Sequence, residues 1–406
     1  IKETKIPIAI EASALTLKII NKYDKSWIEE FKKLLFNNQC EFIGSGYTQL
    51  IGPLVPWEIN RKNQLIGQDI YQKLLNFRPD IALINEQAFS SNLIPIYLES
   101  GYKTIIMEWN NSFSFKNWDP ALGYFRQRAI SQCGKIIDLI WNNSINFQRF
   151  QRYAHSEMSL NEFADLMNIN NYDNANFLLY GSDAEIFNFR PGRFLNEATI
   201  KNCEWKRIKD LYLYFNESKK YNLIHPSQVF FNINNTNKSL VLNSPQQPIT
   251  VKKQSKYNVF RWALTGRNDL EINTMCYEIL ERLKKDQSLD QKYSKKICYL
   301  WSSDFRTHIT EQRWIKYREK LDVLDKKTKF LKFKSDTKKN ITSKKNIEYS
   351  IVDNFVIVSY DQTIITFNIN KGLAIESFIK SEINSNSIFG TIKHGTFNDI
   401  NYSADF

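Results

Sequence analysis

Two carboxylates follow short apolar runs, and their positions indicate a specific chemistry. Glu86 comes directly after the run at residues 81–84, and Asp183 follows the run at residues 177–180. Each run is typical of a short buried strand. A residue just past the carboxyl end of such a strand lies at the mouth of a parallel α/β fold, where these folds hold their active sites. Two carboxylates at one mouth, among aromatic residues, are the minimal apparatus for cleaving a glycosidic bond.

Both carboxylates also have a structural interpretation. Glu86 precedes a predicted helix and could cap that helix or form a salt bridge. Asp183 follows a Gly-Ser pair, which is a common setting for a helix N-cap. Glu108, at the end of another apolar run, is a third candidate carboxylate, and Glu185 is a weaker one.

Polar and aromatic residues near other strand ends suit a sugar. The loop at residues 44–56 follows a predicted strand and has no Lys-Ser/Thr pair, so it is not a phosphate-binding loop. Tyr47 in this loop offers an aromatic face, and Gln49 offers an amide that can donate and accept hydrogen bonds. Trp109 is a candidate platform for a pyranose ring, although a single Trp is more often part of a core.

Asp304 and His308 have the spacing of neighbours on one face of a helix. A Ser-His-Asp triad is conceivable, but the sequence contains no GxSxG nucleophile elbow to support it. The pair therefore fits a structural or substrate-binding role better.

The order of predicted elements indicates a parallel sheet followed by two further regions. Strands are predicted at residues 6–10, 40–43, 81–84, 104–107, 136–140, 177–180 and 221–224. They alternate with helix-like segments over residues 1–232, which predicts a parallel sheet, open or closed. A polar linker is predicted at residues 233–252, and a helical domain at residues 253–325. A Lys-rich linker at residues 326–345 precedes an antiparallel β region at residues 346–406, where apolar residues alternate with a period of two.

Composition excludes several classes of protein. The chain has 406 residues, of which 42% are hydrophobic and 14% aromatic, as in a folded globular protein. The net charge of +12 reflects a general richness in Lys, Ile and Asn rather than one basic face, so we expect no nucleic-acid partner. The longest apolar runs are only a few residues, so we expect no membrane partner. The five cysteines and four histidines are scattered without metal-binding spacing, which predicts free thiols, a cytoplasmic location, no metal and no cofactor.

An ordered set of segments resembles glycoside hydrolase family 57. The set extends over nearly the whole chain, and its members are residues 44–56, 85–90 (Asn-Glu-Gln-Ala-Phe-Ser), 181–187 (Gly-Ser-Asp-Ala-Glu-Ile-Phe), 251–267, 304–308 and 395–405. No one of these segments is diagnostic by itself. Their order and approximate separation carry the resemblance.

The resemblance implies a fold and a mechanism. Members of the family have a seven-stranded (β/α) barrel, a helical region at the barrel mouth and often a C-terminal β-sandwich. They act on α-linked glycans, mainly α-1,4-glucans, with retention of configuration. By resemblance Glu86 is the nucleophile and Asp183 the general acid/base, with Trp262 added to the substrate-binding residues. For retention, the two carboxyl groups should lie roughly 5–5.5 Å apart.

The chain also departs from the family pattern. Its first predicted strand, at residues 6–10, corresponds to the second strand of the family. We therefore expect an incomplete barrel, an incomplete sandwich and a fragment truncated at both ends. Two alternatives stay open at this point: a non-catalytic carbohydrate-binding relative, and a metal-dependent polysaccharide deacetylase on a similar barrel. Hydrolysis and transglycosylation, and the oligomeric state, are equally open.

Overall fold

The computed structural model describes most of the chain, in two compact units. The described residues are 6–114, 116–167, 175–184, 187, 203–218, 220–229, 239–244, 247–251, 258–307, 309–329, 347–369 and 373–389. The first unit comprises Ile1–Leu331 and the second Lys332–Phe406. Within the described residues, no helix is both long enough and apolar enough to cross a membrane.

A six-stranded sheet forms the centre of the first unit. Its strands are β1 (Ile8–Ala12), β2 (Cys40–Gly44), β3 (Ile81–Leu83), β4 (Thr104–Glu108), β5 (Gln127–Ile130) and β6 (Ile136–Asn142), in the spatial order β1-β2-β3-β4-β6-β5. Neighbouring strands are parallel except at β5, which pairs antiparallel with β6. The carboxyl ends of β1, β2, β3, β4 and β6 therefore meet at one edge of the sheet, called here the carboxyl edge.

Helices connect the strands and cover the sheet. They are α1 (Ala14–Tyr23), α2 (Lys25–Phe36), α3 (Trp57–Leu75), α4 (Leu93–Glu99), α5 (Trp109–Phe113), α6 (Ser144–Ala154), α7 (Leu160–Met167), α8 (Glu204–Glu217), α9 (Asp269–Leu283), α10 (Gln287–Leu300) and α11 (Glu311–Lys329). A π-helical turn, Arg261–Thr265, precedes α9.

The two faces of the sheet carry different cores because side chains alternate along each strand. On one face, α1–α3 and α9–α11 join the largest cluster, which includes Phe42, Tyr71 and Tyr317. The other face carries a smaller cluster that we call the isoleucine layer, formed by Ile43, Ile81, Ile106 and Ile140 with Ala9, Leu83, Leu178 and Val229 packed against it. The isoleucine layer is the floor beneath the candidate site.

Several predicted strands differ from the structure. The segments at residues 177–180 and 221–224 are not strands, whereas Gln127–Ile130 is a strand that the sequence analysis missed. Leu178 packs on the isoleucine layer while Phe177, Leu179 and Tyr180 pack on an aromatic cluster around α6–α8. The 177–180 segment thus alternates like a strand but lacks ladder pairing among the described residues.

Closure of the six-stranded sheet into a barrel is not seen among the described residues, because β1 and β5 are the two ends of the sheet.

The second unit is an antiparallel meander, as its alternating pattern predicted. Its strands are β7 (Glu348–Val352), β8 (Phe355–Tyr360), β9 (Thr363–Asn368), β10 (Ala374–Lys380) and β11 (Asn384–Phe389), each paired with the next along the chain. Two-residue turns connect β7 to β8 and β8 to β9, and each begins with an aspartate of positive φ, Asp353 or Asp361. The end of α11 at Lys329 places residues 326–329, predicted as linker, within a helix.

Close approach of α3 to the β2 loop requires a glycine. A Cβ atom on Gly67 would lie 2.6 Å from the backbone carbon of Gly46. On the same helix, the Tyr71 hydroxyl lies 2.8 Å from the Gly46 carbonyl oxygen and accepts a hydrogen bond from the Ser45 amide. The position of α3 therefore determines the shape of the loop that follows β2.

Gly67→Ala is expected to destabilise the protein by about 1–3 kcal/mol, because the added methyl group overpacks this contact. The higher helix propensity of alanine, about 1 kcal/mol, offsets only part of the loss. Chemical denaturation measures the change, with Lys73→Ala on the exposed side of α3 as the control. Equal stability of Gly67→Ala and the wild type would show that the helix and loop have room to separate.

Candidate active site

Polar side chains lie at the carboxyl edge, two residues further along each strand than apolar side chains of the isoleucine layer or of its neighbours. These side chains, called here the polar layer, are Glu11, Ser45, Asn85, Glu108 and Asn142. Each stands two residues after a member of the isoleucine layer or one of the side chains packed against it (Ala9, Ile43, Leu83, Ile106 and Ile140). Since residues i and i+2 of a strand face the same side, the polar layer caps this apolar face.

Glu86 follows the polar layer on a strained turn. The short 3-10 turn Asn85–Gln87 holds Glu86 at φ 52° and Gln87 at φ 51°, a left-handed region that non-glycine residues rarely adopt. The turn is anchored on one side by Ser45, whose hydroxyl donates to Asn85 Oδ1 at 2.8 Å. On the other side, the Asn111 amide donates to the Gln87 carbonyl at 3.1 Å. Neighbouring side chains thus maintain a costly conformation that presents Glu86 at the edge.

The environment of Glu86 disfavours its charged form. Burial is the main cause that raises the pKa of this carboxyl to about 7, and the nearby carboxyls of Asp183 and Asp304 add repulsion. The neighbouring Ser303 hydroxyl acts in the opposite direction, although its Oγ makes no well-formed hydrogen bond within the described part of the chain. A carboxyl with this pKa exchanges its proton near neutral pH, a property common at catalytic sites.

Asp183 reaches the same edge on a turn that two hydrogen bonds hold. The Tyr180 hydroxyl donates to the Asp183 carbonyl oxygen at 2.6 Å, and the Asn142 amide donates to the Gly181 carbonyl at 2.8 Å. A Cβ atom on Gly181 would lie 2.3 Å from Asn142 Oδ1, so the close contact requires glycine. The Asp183 side chain is exposed, and its charge raises the pKa values of both Glu86 and Glu11.

A loop from the helical region completes the wall beside Glu86. The Ser303 amide donates to the Gln49 carbonyl at 2.9 Å, which joins this loop to the one after β2. Arg306 is buried and fixes the loop by donating to the Leu300 and Ser302 carbonyls, at 3.0 and 3.1 Å. The helical region therefore contributes directly to the site.

Asp304 lies near Glu86, as its effect on the pKa of that carboxyl shows. It belongs to a short 3-10 turn, Ser303–Phe305, and pairs with Arg313 at 2.7 Å. His308, the other member of the predicted pair, lies outside the described residues. A shared helical face for the two is therefore not seen.

The predicted aromatic platforms lie behind the site. Trp262 is fully buried and packs with Ile51 and Ala88, so its ring has no free face for a sugar in this structure. Trp109 is 6% exposed and stacks on Phe113 with ring centroids 4.7 Å apart. Tyr47 is buried to a similar degree. These rings support the segments that carry Glu86 and its neighbours, and direct stacking on a substrate would require them to move.

Glu108 has structural partners. Its Oε1 accepts hydrogen bonds from the Ser144 amide at 2.9 Å and from the Asn110 side chain at 2.9 Å, so it ties β4 to the start of α6. Among the described residues, no group of three His, Cys, Asp or Glu side chains is arranged to hold a metal ion.

Ser303, Asn142 and Glu11 are among the residues of the site that the sequence analysis missed. Ser303 and Asn142 carry no motif, and only the folded chain brings them to Glu86 and to the Asp183 turn. Glu11 did leave a signal, since it is a single acidic residue inside the apolar run at residues 6–12. A charged residue near the end of a predicted buried strand is a reason to suspect a functional site.

The fold and this edge define an α/β protein with several carboxyl groups gathered at one edge of its parallel sheet. The profile of glycosyl hydrolase family 57 matches residues 1–242, and the chain belongs to that family. No curated protein matches the sequence.

Two solved structures with TM-scores above 0.5 share the fold at low sequence identity. A 4-α-glucanotransferase from Thermococcus litoralis is 12% identical with a TM-score of 0.56, over 94% of this chain and 61% of that protein. An α-mannosidase from Enterococcus faecalis V583 is 12% identical with a TM-score of 0.51, over 79% of this chain and 36% of that protein. An α-amylase from Thermotoga maritima has a TM-score of 0.48 at 12% identity, over 77% of this chain and 70% of that protein. The chain thus spans about three fifths of the length of the glucanotransferase.

Glu86→Gln is expected to stabilise the protein at neutral and alkaline pH. Because the pKa of Glu86 is about 7 in the fold and 4.5 without it, the wild type loses stability as pH rises from about 4.5 to 7. This loss amounts to about 3 kcal/mol at most, and glutamine, which has no charge, avoids it. Melting temperatures measured from pH 4 to pH 8 test the expectation.

The gain of the Glu86→Gln variant should be absent at pH 4 and should grow with pH. Glu29→Gln is the control, because the Glu29 side chain is 64% exposed. A constant difference between wild type and Glu86→Gln across this pH range would contradict a raised pKa at Glu86.

Proposed function

We propose that this chain carries the active site of a retaining glycoside hydrolase or transglycosylase acting on α-linked glucan of the α-1,4 type. One observation carries the proposal: Glu86 and Asp183 reach the carboxyl edge from separate segments and lie close enough for one charge to raise the pKa of the other carboxyl. Membership of glycosyl hydrolase family 57 supports the same conclusion.

In this mechanism Glu86 is the nucleophile. Its ionised carboxylate attacks the anomeric carbon as the bond to the leaving glycosidic oxygen breaks, and a covalent glycosyl-enzyme ester forms. Asp183 donates its proton to the leaving oxygen in the same step. Asp183 then removes a proton from water, or from the hydroxyl of an acceptor sugar, which attacks the anomeric carbon and releases Glu86 as a carboxylate.

The surroundings of Glu86 bear on its role as the nucleophile. With a pKa of about 7, Glu86 is ionised in a large share of molecules at neutral pH, and burial makes the carboxylate poorly solvated. Asp183 regains a proton in the second step, from water or from the acceptor hydroxyl, so its carboxyl ends the cycle protonated again. The separation of roughly 5–5.5 Å between the two carboxyl groups stays a prediction of the retaining mechanism.

We place the substrate along the loops beside these carboxyls. Gln49 and Asp304 belong to the wall that joins the β2 loop to the helical region, and His308 is part of the same proposal. Tyr47, Trp109 and Trp262 act from behind by fixing the shape of the cleft. Whether water or a sugar is the acceptor separates hydrolysis from transfer, and the product pattern decides between them.

Incubation with amylose and short malto-oligosaccharides tests the proposal. Wild type is expected to shorten or redistribute the chains, whereas Glu86→Gln should lose at least about 10³-fold of the rate because glutamine cannot form the ester intermediate. Asp183→Asn should lose a factor of about 10²–10⁴, the usual contribution of a general acid. Separation of the products by size measures both effects and shows which acceptor is used.

Glu29→Gln on the surface of α2 is the matched control and should act like the wild type. Equal activity of Glu86→Gln and the wild type would remove Glu86 from the mechanism. A wild type that is inert on all α-glucans, yet binds them, would favour a carbohydrate-binding role instead.

A further inference from the structure

Glu11 is a further carboxyl of the site and has no role in the mechanism above. It is the penultimate residue of β1 and pairs in register with Ile43 of β2. Two residues earlier, Ala9 packs against the isoleucine layer. Alternation along the strand therefore directs Glu11 to the face of the isoleucine layer, where the charge of Asp183 acts on its carboxyl.

The buried position of the Glu11 carboxyl lowers the stability of the fold. Its Oε1 is buried and has no hydrogen-bond partner among the described residues. Burial raises the pKa of Glu11, and the charge of Asp183 adds to the rise, while the side chains of Ser45 and Gln49 only partly oppose it. A carboxyl in an apolar strand with one unsatisfied oxygen lowers stability. Such a group requires an explanation other than stability of the fold.

Unsatisfied acceptors recur along the polar layer. Within the described part of the chain, Glu108 Oε2 and Asn142 Oδ1 are also buried without hydrogen-bond partners. Together with Glu11 Oε1, they are acceptor atoms on three different strands of the same sheet face, at the same edge. A ligand that fits here must therefore supply hydrogen-bond donors.

The chemistry of the edge restricts which donors are suitable. An anion would meet the carboxyls of Glu86, Asp183 and Asp304 and would be repelled. A metal ion has no three-ligand group of acidic, His or Cys side chains among the described residues. The hydroxyl groups of a sugar are neutral, each donates one hydrogen bond, and several are spaced around one ring.

We infer that Glu11 is a specificity-determining residue, which accepts a hydrogen bond from one hydroxyl of the sugar ring bound over the polar layer. This inference rests on the proposed function, because it needs a glycan at the carboxyl edge. The reaction itself does not pass through Glu11. Its effect is to favour a sugar that carries a hydroxyl at one ring position over a sugar that lacks it.

Binding to a catalytically inactive background tests the inference. Calorimetric titration of Glu86→Gln with maltopentaose gives the reference affinity. Adding Glu11→Ala is expected to weaken binding by about 10- to 100-fold, the range for a hydrogen bond to a charged group. Adding Glu11→Gln retains an acceptor oxygen and the shape of the side chain, so binding should weaken less.

A matched control lies on the same face of the sheet. Glu41 is on β2 in register with Ala9, near the amino end of the strand and away from the carboxyl edge. Glu41→Gln in the same background should bind like the reference. Monodeoxy analogues of the oligosaccharide identify the hydroxyl that Glu11 binds. When that hydroxyl is absent from the ligand, Glu11→Ala should no longer weaken binding, as in a double-mutant cycle.

The outcomes separate this inference from the proposed function. If Glu11→Ala and Glu11→Gln bind maltopentaose as tightly as the Glu86→Gln reference, the inference is overturned while the proposed function stands. If the reference and the wild type bind and convert no α-glucan, both are overturned. If Glu11→Ala has a lowered melting temperature, the isosteric Glu11→Gln variant and the deoxy analogues decide, since they leave the packing unchanged.

Discussion

Alternation of side chains along parallel strands is the constraint on which the site depends. One face of the sheet packs the isoleucine layer, and the next residues on that face, Glu11, Ser45, Asn85, Glu108 and Asn142, reach the carboxyl edge. Because the five strands are parallel, all of these side chains lie toward the same edge of the sheet. A shift of any strand by one residue would exchange its polar and apolar faces and remove its contribution to the site. The same packing that forms the core therefore determines the floor of the cleft.

The site is maintained at a cost in stability. Glu86 and Gln87 occupy a strained conformation, and the carboxyls of Glu86 and Glu11 are buried enough to raise their pKa values. Supporting contacts come from all sides: the Ser45–Asn85 pair, α3 beneath the β2 loop, and Arg306 in the helical region. Strain and poorly solvated charge of this kind are typical of catalytic sites, where a group has to be ready to react. The stable remainder of the unit makes this arrangement possible.

The sequence predicted the strands that consist of unbroken apolar runs. The runs starting at Cys40, Ile81, Thr104 and Ile136 all lie in observed strands, because burial on both faces of a parallel sheet selects such runs. The strand Gln127–Ile130 was missed because an antiparallel strand at the end of a sheet does not need an unbroken apolar run. The run at 177–180 was misassigned for the opposite reason: its apolar side chains pack on two clusters without the backbone pairing that defines a strand. A hydrophobic pattern indicates that a segment is buried. Whether its backbone pairs as a strand depends on segments far away in the chain.

The carboxyls of the site were easier to predict than their surroundings. Glu86 and Asp183 follow apolar runs and belong to segments that resemble the family, so both could be selected from the sequence. The roles of Ser303, Asn142 and Arg306 depend on contacts between segments far apart in the chain, which no local pattern encodes. The predicted sugar-binding roles of Trp109 and Trp262 also depended on tertiary packing, and the structure buries both rings.

The central claim is that Glu86 forms a covalent bond with the sugar, and chemical trapping tests it most directly. A fluorinated α-glucosyl fluoride slows both steps of the double displacement, and the second step can be slow enough for the glycosyl-enzyme to accumulate. After proteolysis, mass spectrometry should find one added fluorosugar on the peptide that contains Glu86, and none in Glu86→Gln. An adduct on a different carboxylate, or rapid turnover that yields the inverted anomer, would contradict the account.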